Sequence, residues 1–219
     1  MGVLKNGVFG GFTGKVGNLV GYESKGRFML RAKPKLRTTP PTEGELSNRK
    51  KFEMVQRWLG PLTRFLRSGF QNYAETYEGF TAAKSHLMKN ALAGEKPNQV
   101  IDPAKVLVSF GKLPPPQMAR AEFTAERTIT ISWASKGSYP RFTRVMYLIY
   151  IPGDRAIIET AGPPLERGEV QVELHSFYLG KTALVYLAFI QDDRKDRSNS
   201  VFLGEIMIPK AKRTKAAKR

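Results

Sequence analysis

Cysteine is absent from the 219-residue chain. That removes a disulfide framework, a thiolate nucleophile and any Cys-ligated zinc or iron–sulfur site. It leaves the compartment open, because disulfide-free proteins occur inside and outside cells. Histidine is scarce too: His86 and His175 are the only two, and neither sits in a His-x-x-x-His or His-Glu pair. No apolar run approaches the roughly 20 residues that span a bilayer. Acidic residues are in deficit, with 19 Asp and Glu against 36 Lys and Arg, a net charge of +17. These shortages argue against catalysis. The chain reads as non-enzymatic, with no metal and no cofactor.

The first thirty residues lack the pattern of a secretory signal, since glycine interrupts every short apolar run. Asn6 stands where a myristoylation motif carries Ser or Thr. The expectation is a cytoplasmic protein with no transmembrane segment. Release in a virion or by a non-classical extracellular route is compatible with the same reading.

What is present begins with 41% apolar residues, enough for a packed core. The positive charge is uneven. Residues 1–50 hold ten Lys and Arg against three Glu, and residues 209–219 hold six basic residues and no acid. The middle of the chain is nearly balanced. Blocks of like charge repel one another and tend to form interaction arms. Such arms attract polyanions: nucleic acid, anionic lipid head groups or an acidic partner protein.

Residues 1–37 carry eight of the twenty glycines, with Val8, Phe9, Phe12, Val16, Leu19, Val20 and Tyr22 among them. Helix is disfavoured at that glycine density. A hairpin is expected instead, Val16 to Tyr22 pairing with Arg27 to Ala32 around Ser24-Lys25-Gly26. Phe28 and Leu30 then share one face, and Arg27, Met29 and Arg31 the other. If the second strand runs on, Lys33, Lys35 and Arg37 continue that face as a cationic stripe, with residues about 6.6–6.8 Å apart. Phe12, Tyr22 and Phe28 could stack on bases or form the hairpin's core; the core reading is preferred.

Thr42-Glu43-Gly44-Glu45 has the form of a capping box. A helix follows to about Leu59, with Phe52, Val55, Trp58 and Leu59 as its apolar face. Gly60-Pro61 ends or kinks it, and Leu62, Phe65, Leu66, Gly69 and Phe70 form the stripe of a second helix. A third helix is predicted from Thr81 to Leu92, stopped by Gly94. From Val100 the period changes to two. Strands are predicted over Lys105–Phe110, Arg127–Trp133, Phe142–Ile151, Ala156–Thr160, Val170–Leu174, Thr182–Gln191 and Val201–Ile208. Turn signals between them suggest a β-sandwich. Asp192–Asn199 is a charged hairpin loop that neutralises itself.

The fold expected is α+β: a Gly-rich β-hairpin arm, a helical hairpin or three helices, then a seven-stranded Ig-like sandwich. The segments are drawn at 1–42, 43–98, 99–208 and 209–219. Trp133 ending one strand, Tyr147 and Tyr150 in the next, and the long apolar stretch Ala183–Ile190 resemble a fibronectin type III sandwich. One feature departs: Ala183 stands near the place of the corner tyrosine, with Tyr178 and Tyr186 on either side. The run from Gly10 to Gly21, followed by Lys25-Gly26, Arg31–Pro34, Arg49–Phe52 and Leu59–Leu62, resembles an uncharacterised Bacteroidota family with a domain of unknown function. That resemblance implies a recurring architecture and no chemistry.

Catalytic and nucleotide motifs fail. Gly14-Lys15 is followed by Val16, and the position five before Gly14 is Phe9, so the phosphate-binding loop is broken twice. Ser47-Asn48-Arg49-Lys50 matches Ser-x-x-Lys without its companion motifs. What remains is charge. The candidate nucleic-acid contacts are Lys15, Lys25, Arg27, Arg31, Lys33, Lys35 and Arg37, with Lys210, Lys212, Arg213, Lys215, Lys218 and Arg219 of the tail. Such contact is expected to be non-specific and salt-dependent. The alternative expectation is a subunit of a larger assembly, a virion, phage-like particle or surface fibre, whose Gly-rich arm pairs with its neighbours.

Overall fold

The computed structural model describes residues 2–4, 10–24, 26–71, 73, 78–95, 98–125, 127–134 and 139–210. It divides into two compact units, Met1–Glu43 and Gly44–Arg219.

The first unit is a four-stranded antiparallel meander of β1 (Gly2–Leu4), β2 (Phe12–Val16), β3 (Leu19–Ser24) and β4 (Arg27–Ala32), in that order. The expected hairpin is β3 with β4, Ser24 standing opposite Arg27. Val16 belongs one strand earlier than expected. It faces Leu19 across the two-residue turn Gly17-Asn18, where Gly17 has φ +55°. Glycine adopts that left-handed conformation without steric cost, and Gly-Asn is a hairpin signal of its own. Two further glycines make room for rings. A Cβ on Gly21 would lie 2.7 Å from Phe12 Cε2, and one on Gly11 would lie 1.9 Å from Phe28 Cγ.

The second unit opens with three helices, α1 (Glu43–Leu59), α2 (Thr63–Gly69) and α3 (Gly79–Asn90). A short 3-10 turn at Gly60–Leu62 joins the first two, and Pro61 lies in its first turn, where a missing N–H costs nothing. Val55, Trp58, Leu59, Leu62, Phe65, Leu66 and Phe70 are buried as the stripes require, while Phe52 stays half exposed beneath Lys84 Nζ. The third helix stops at Asn90, short of Leu92. Leu92 and Ala93 form β5, paired with β6 (Val100–Ile101). Gly94, at φ +85°, therefore serves the following turn and not the helix end.

Seven strands follow: β7 (Arg120–Ala125), β8 (Thr128–Ser132), β9 (Thr143–Tyr150), β10 (Ala156–Glu159), β11 (Glu169–Glu173), β12 (Thr182–Gln191) and β13 (Val201–Met207). They form a four-stranded sheet in the order β10-β9-β12-β13 and a three-stranded sheet in the order β11-β8-β7. The chain is thus α+β with an Ig-like four-and-three sandwich. Ile129, Ile131 and Trp133 of the smaller sheet's side meet Val145, Ile149, Val185, Leu187 and Phe189 in one core. Trp133 Nε1 donates to Leu165 O at 2.8 Å, which satisfies the indole inside that core.

The strand count is as expected, but one member differs. Lys105–Phe110 is not a ladder strand. Its backbone turns to other partners: Val108 N donates to Ser200 Oγ at 2.9 Å and Phe110 N to Gly69 O at 3.0 Å. The seventh strand is β7, whose apolar signal is only Ala121 and Phe123 between charged Arg120 and Glu122. Its inward residues Ala121 and Phe123 are only partly buried at the sheet's edge, so the apolar signal is faint.

The four-stranded sheet is covered on both sides. Its outer face (Met146, Leu148, Tyr150, Leu184, Tyr186, Ala188 and Ile190) shares a second core with the helices. The helical segment and the sandwich, drawn apart at residues 98 and 99, are therefore joined through one hydrophobic cluster. That explains why β12 reads as continuously apolar: eight consecutive residues, Ala183–Ile190, are buried. Tyr150 Oη donates to Trp58 O at 2.6 Å, and Tyr186 Oη to Pro103 O at 2.9 Å. The Tyr150 phenol thus ties the sheet to α1, and that of Tyr186 ties it to the 3-10 turn Pro103–Lys105. The expected exposed loop after β12 is exposed only in part. Arg197 turns inward, 1% exposed, and donates to the carbonyls of Gln71, Arg194 and Lys195.

Candidate polyanion-binding face

Register decides which arm residues share a face. Lys15 stands opposite Val20, and Val20 opposite Arg31. Tyr22 stands opposite Met29, and Ser24 opposite Arg27. Residues directly opposite in an antiparallel pair lie on one side, and alternation along each strand carries the assignment on. One face therefore holds Thr13, Lys15, Val20, Tyr22, Ser24, Arg27, Met29 and Arg31. The other holds Phe12, Val16, Leu19, Glu23, Phe28, Leu30 and Ala32. Glu23 is the sole acid in residues 1–42, and it lies on the side away from the cations.

Lys15, Arg27 and Arg31 are all exposed. Arg27 and Arg31 are four residues apart on β4, about 13–14 Å. Lys15 lies two strands from Arg31, about 9.6 Å. The Arg31 guanidinium carbon sits 5.5 Å from the centroid of the Tyr22 ring. Among the described residues no carboxylate pairs with these three cations. A concentration of one sign, unneutralised on one face, attracts anions.

The longer stripe is not a strand feature. β4 ends at Ala32, and the ladder is prolonged only by Lys33 N donating to Asn18 O at 2.7 Å. Lys33, Lys35 and Arg37 are exposed beyond the strand, so the constant 6.6–6.8 Å spacing does not reach them. Pro34 is the physical reason, because it has no N–H to give to a ladder. Arg37 folds onto its own chain, its Nε donating to Thr39 O at 2.8 Å and its Nη2 to Pro40 O at 3.1 Å. Lys210 is exposed, its stem against Gly180. Lys25, Lys212, Arg213, Lys215, Lys218 and Arg219 lie outside the described residues.

The aromatic residues divide in a way the sequence pattern left open. Phe12 and Phe28 lie on the apolar face against Gly21 and Gly11, whereas Tyr22 lies among the cations. Had Gly17-Asn18 been read as a turn, strand alternation would have sorted all three.

The two histidines lie apart, His86 packed among rings and His175 exposed at a turn. His86 on α3 has its ring 6.2 Å from Phe70 and 6.3 Å from Phe110, and burial lowers its pKa from 6.5. His175 Nδ1 accepts from Phe177 N at 3.4 Å at the start of a 3-10 turn. Ser47 lies within α1. An open pocket between α1 and the β9–β10 turn is lined by Lys50, Glu53, Met54, Arg57, Trp58, Pro152 and Gly153. Its Arg57 and Glu53 are paired with each other at 2.8 Å. Among the described residues no helix is long and apolar enough to cross a membrane.

The fold defines an α+β chain with a glycine-rich cationic sheet ahead of a helix-backed Ig-like sandwich. The chain belongs to a family of unknown function, DUF6266, whose profile matches residues 11–204. The match begins inside the arm and ends in β13, so arm, helices and sandwich belong to one family architecture. No curated protein matches the chain.

Proposed function

We propose that the protein is a non-enzymatic binding protein that holds a polyanion, nucleic acid, without sequence preference. The cationic face of the arm makes the contact, aided by the basic segment at residues 209–219. The observation that carries this reading is the placement of Lys15, Arg27 and Arg31 on one face with no acid among them. The cytoplasm, where nucleic acid is abundant, suits it. Counterion release makes such binding fall steeply with salt. Gel shift of a duplex and of a single strand at low and raised salt tests it. Retention at about 50 mM salt that is lost by about 200 mM is expected. No shift of either probe at low salt would sink the proposal.

A second reading, assembly, is favoured by the opposite face. Val16, Leu19, Phe28 and Leu30 there are each more than two-fifths exposed. We propose that a second copy of the chain covers them by stacking sheet on sheet. Edge pairing is the weaker route, since two antiparallel β4 strands centred on Met29 would set Arg27 against Arg31, and like charges directly opposite repel. Light scattering at about 0.1 mM should give a dimer mass, a concentration suited to the modest area of a small interface. Leu19→Glu with Leu30→Glu should return it to a single chain. A single-chain mass for the unaltered protein contradicts this reading.

A further inference from the structure

We propose that the cationic face is a site for single-stranded nucleic acid, with Tyr22 as the platform on which a base stacks. The inference rests on the polyanion reading above and narrows its ligand. Charge alone does not distinguish a duplex from a single strand, because both present phosphates. Tyr22 does. Tyr22 is 37% exposed, and it lies at the middle of the face. Met29 is its cross-strand neighbour, and Arg27 and Arg31 flank Met29 two residues away on either side, about 7 Å along β4. The Arg31 guanidinium, 5.5 Å from the ring centroid, fixes a cation beside the aromatic surface. Phosphates on either side of a base held at Tyr22 would therefore each meet an arginine.

The other two arm aromatics among the described residues are used differently; Phe9 lies outside them. Phe12 and Phe28 are turned to the opposite face and seated against glycines. Among the described residues of the arm, only the Tyr22 ring lies on the cationic face. In a duplex the bases are stacked on one another, and their faces are closed to a protein ring. In a single strand every base offers its face. Stacking on an aromatic side chain beside a positive track is how sequence-tolerant single-strand binders hold their ligand.

Fluorescence anisotropy of the full chain tests this with three probes: a 20-mer oligothymidylate, a 20-base-pair duplex and inorganic polyphosphate as competitor. Tyr22→Leu, which keeps an apolar residue suited to the strand, should weaken single-strand binding about tenfold or more. Its affinity for duplex and polyphosphate should stay unchanged. Tyr22→Phe should bind the single strand as the unaltered chain does, because the ring remains. An unchanged circular dichroism melt for Tyr22→Leu shows that the fold survives. An equal loss on all three probes, or no loss on the single strand, overturns the stacking site and leaves the polyanion reading standing. Failure of the unaltered chain to bind any of the three overturns both.

Discussion

A single buried side chain can set a pH limit on the fold. His86 lies against the rings of Phe70 and Phe110, and among the described residues its Nδ1 has no hydrogen-bond partner. Burial therefore favours the neutral imidazole and lowers its pKa from 6.5. A lowered folded-state value means that the unfolded chain binds the proton more readily. The contribution of His86 is complete above 6.5 and is lost as pH falls through the folded-state value. The melting temperature is expected to drop between pH 7 and pH 5. His86→Phe should reduce that drop, and an identical pH profile for the variant would contradict the assignment. Arg197 supplies a second residue-level test. Its buried guanidinium donates to the part-buried carbonyls of Gln71, Arg194 and Lys195. Arg197→Met should cost about 1.5–3 kcal/mol in urea unfolding, because the loop carbonyls lose a charged donor. A cost near zero would mean that water replaces the guanidinium there.

At the scale of elements, the arm depends on its glycines. A Cβ at position 21 would lie 2.4 Å from Phe12 O. Gly21→Ala is expected to open the β2–β3 pairing, seen as faster amide exchange from Phe12 to Tyr22; unchanged protection would show that the strands absorb the clash. The same scale shows what was legible in the sequence. Helices α1 and α2 could be read because Val55, Trp58, Leu62, Phe65 and Leu66 recur at helical spacing and are buried for that reason. β8 could be read because Ile129 and Ile131 alternate with threonines. β7 could not, since an edge strand with only Ala121 and Phe123 resembles a loop. Lys105–Phe110 misled for the opposite reason. Val106 and Val108 are buried like strand residues, yet their backbone is satisfied by Ser200 and its neighbours without a ladder. Burial leaves the same mark on sequence whether or not a strand is formed. The cationic face was half legible. Alternation placed Arg27 and Arg31 together, but Lys15 joins them only through a register set by the Gly17-Asn18 turn.

For the whole molecule, the excess of positive charge is a property of its ends. The sandwich and helices carry nearly balanced charge, and their ion pairs, such as Arg144 with Asp192 at 2.5 Å, are exposed. Exposed pairs of this kind add at most about 1 kcal/mol. The second unit is held by its two cores, and it leaves the arm as the carrier of an unbalanced face. The central claim is that this face binds polyanion through Lys15, Arg27 and Arg31. Its most direct test is the affinity for a single-stranded oligonucleotide, measured across salt concentrations, for the unaltered chain and for Lys15→Gln with Arg27→Gln and Arg31→Gln. Removal of three phosphate contacts should weaken binding and flatten the log–log salt slope by about 2. An unchanged slope and affinity in the triple variant would contradict the claim.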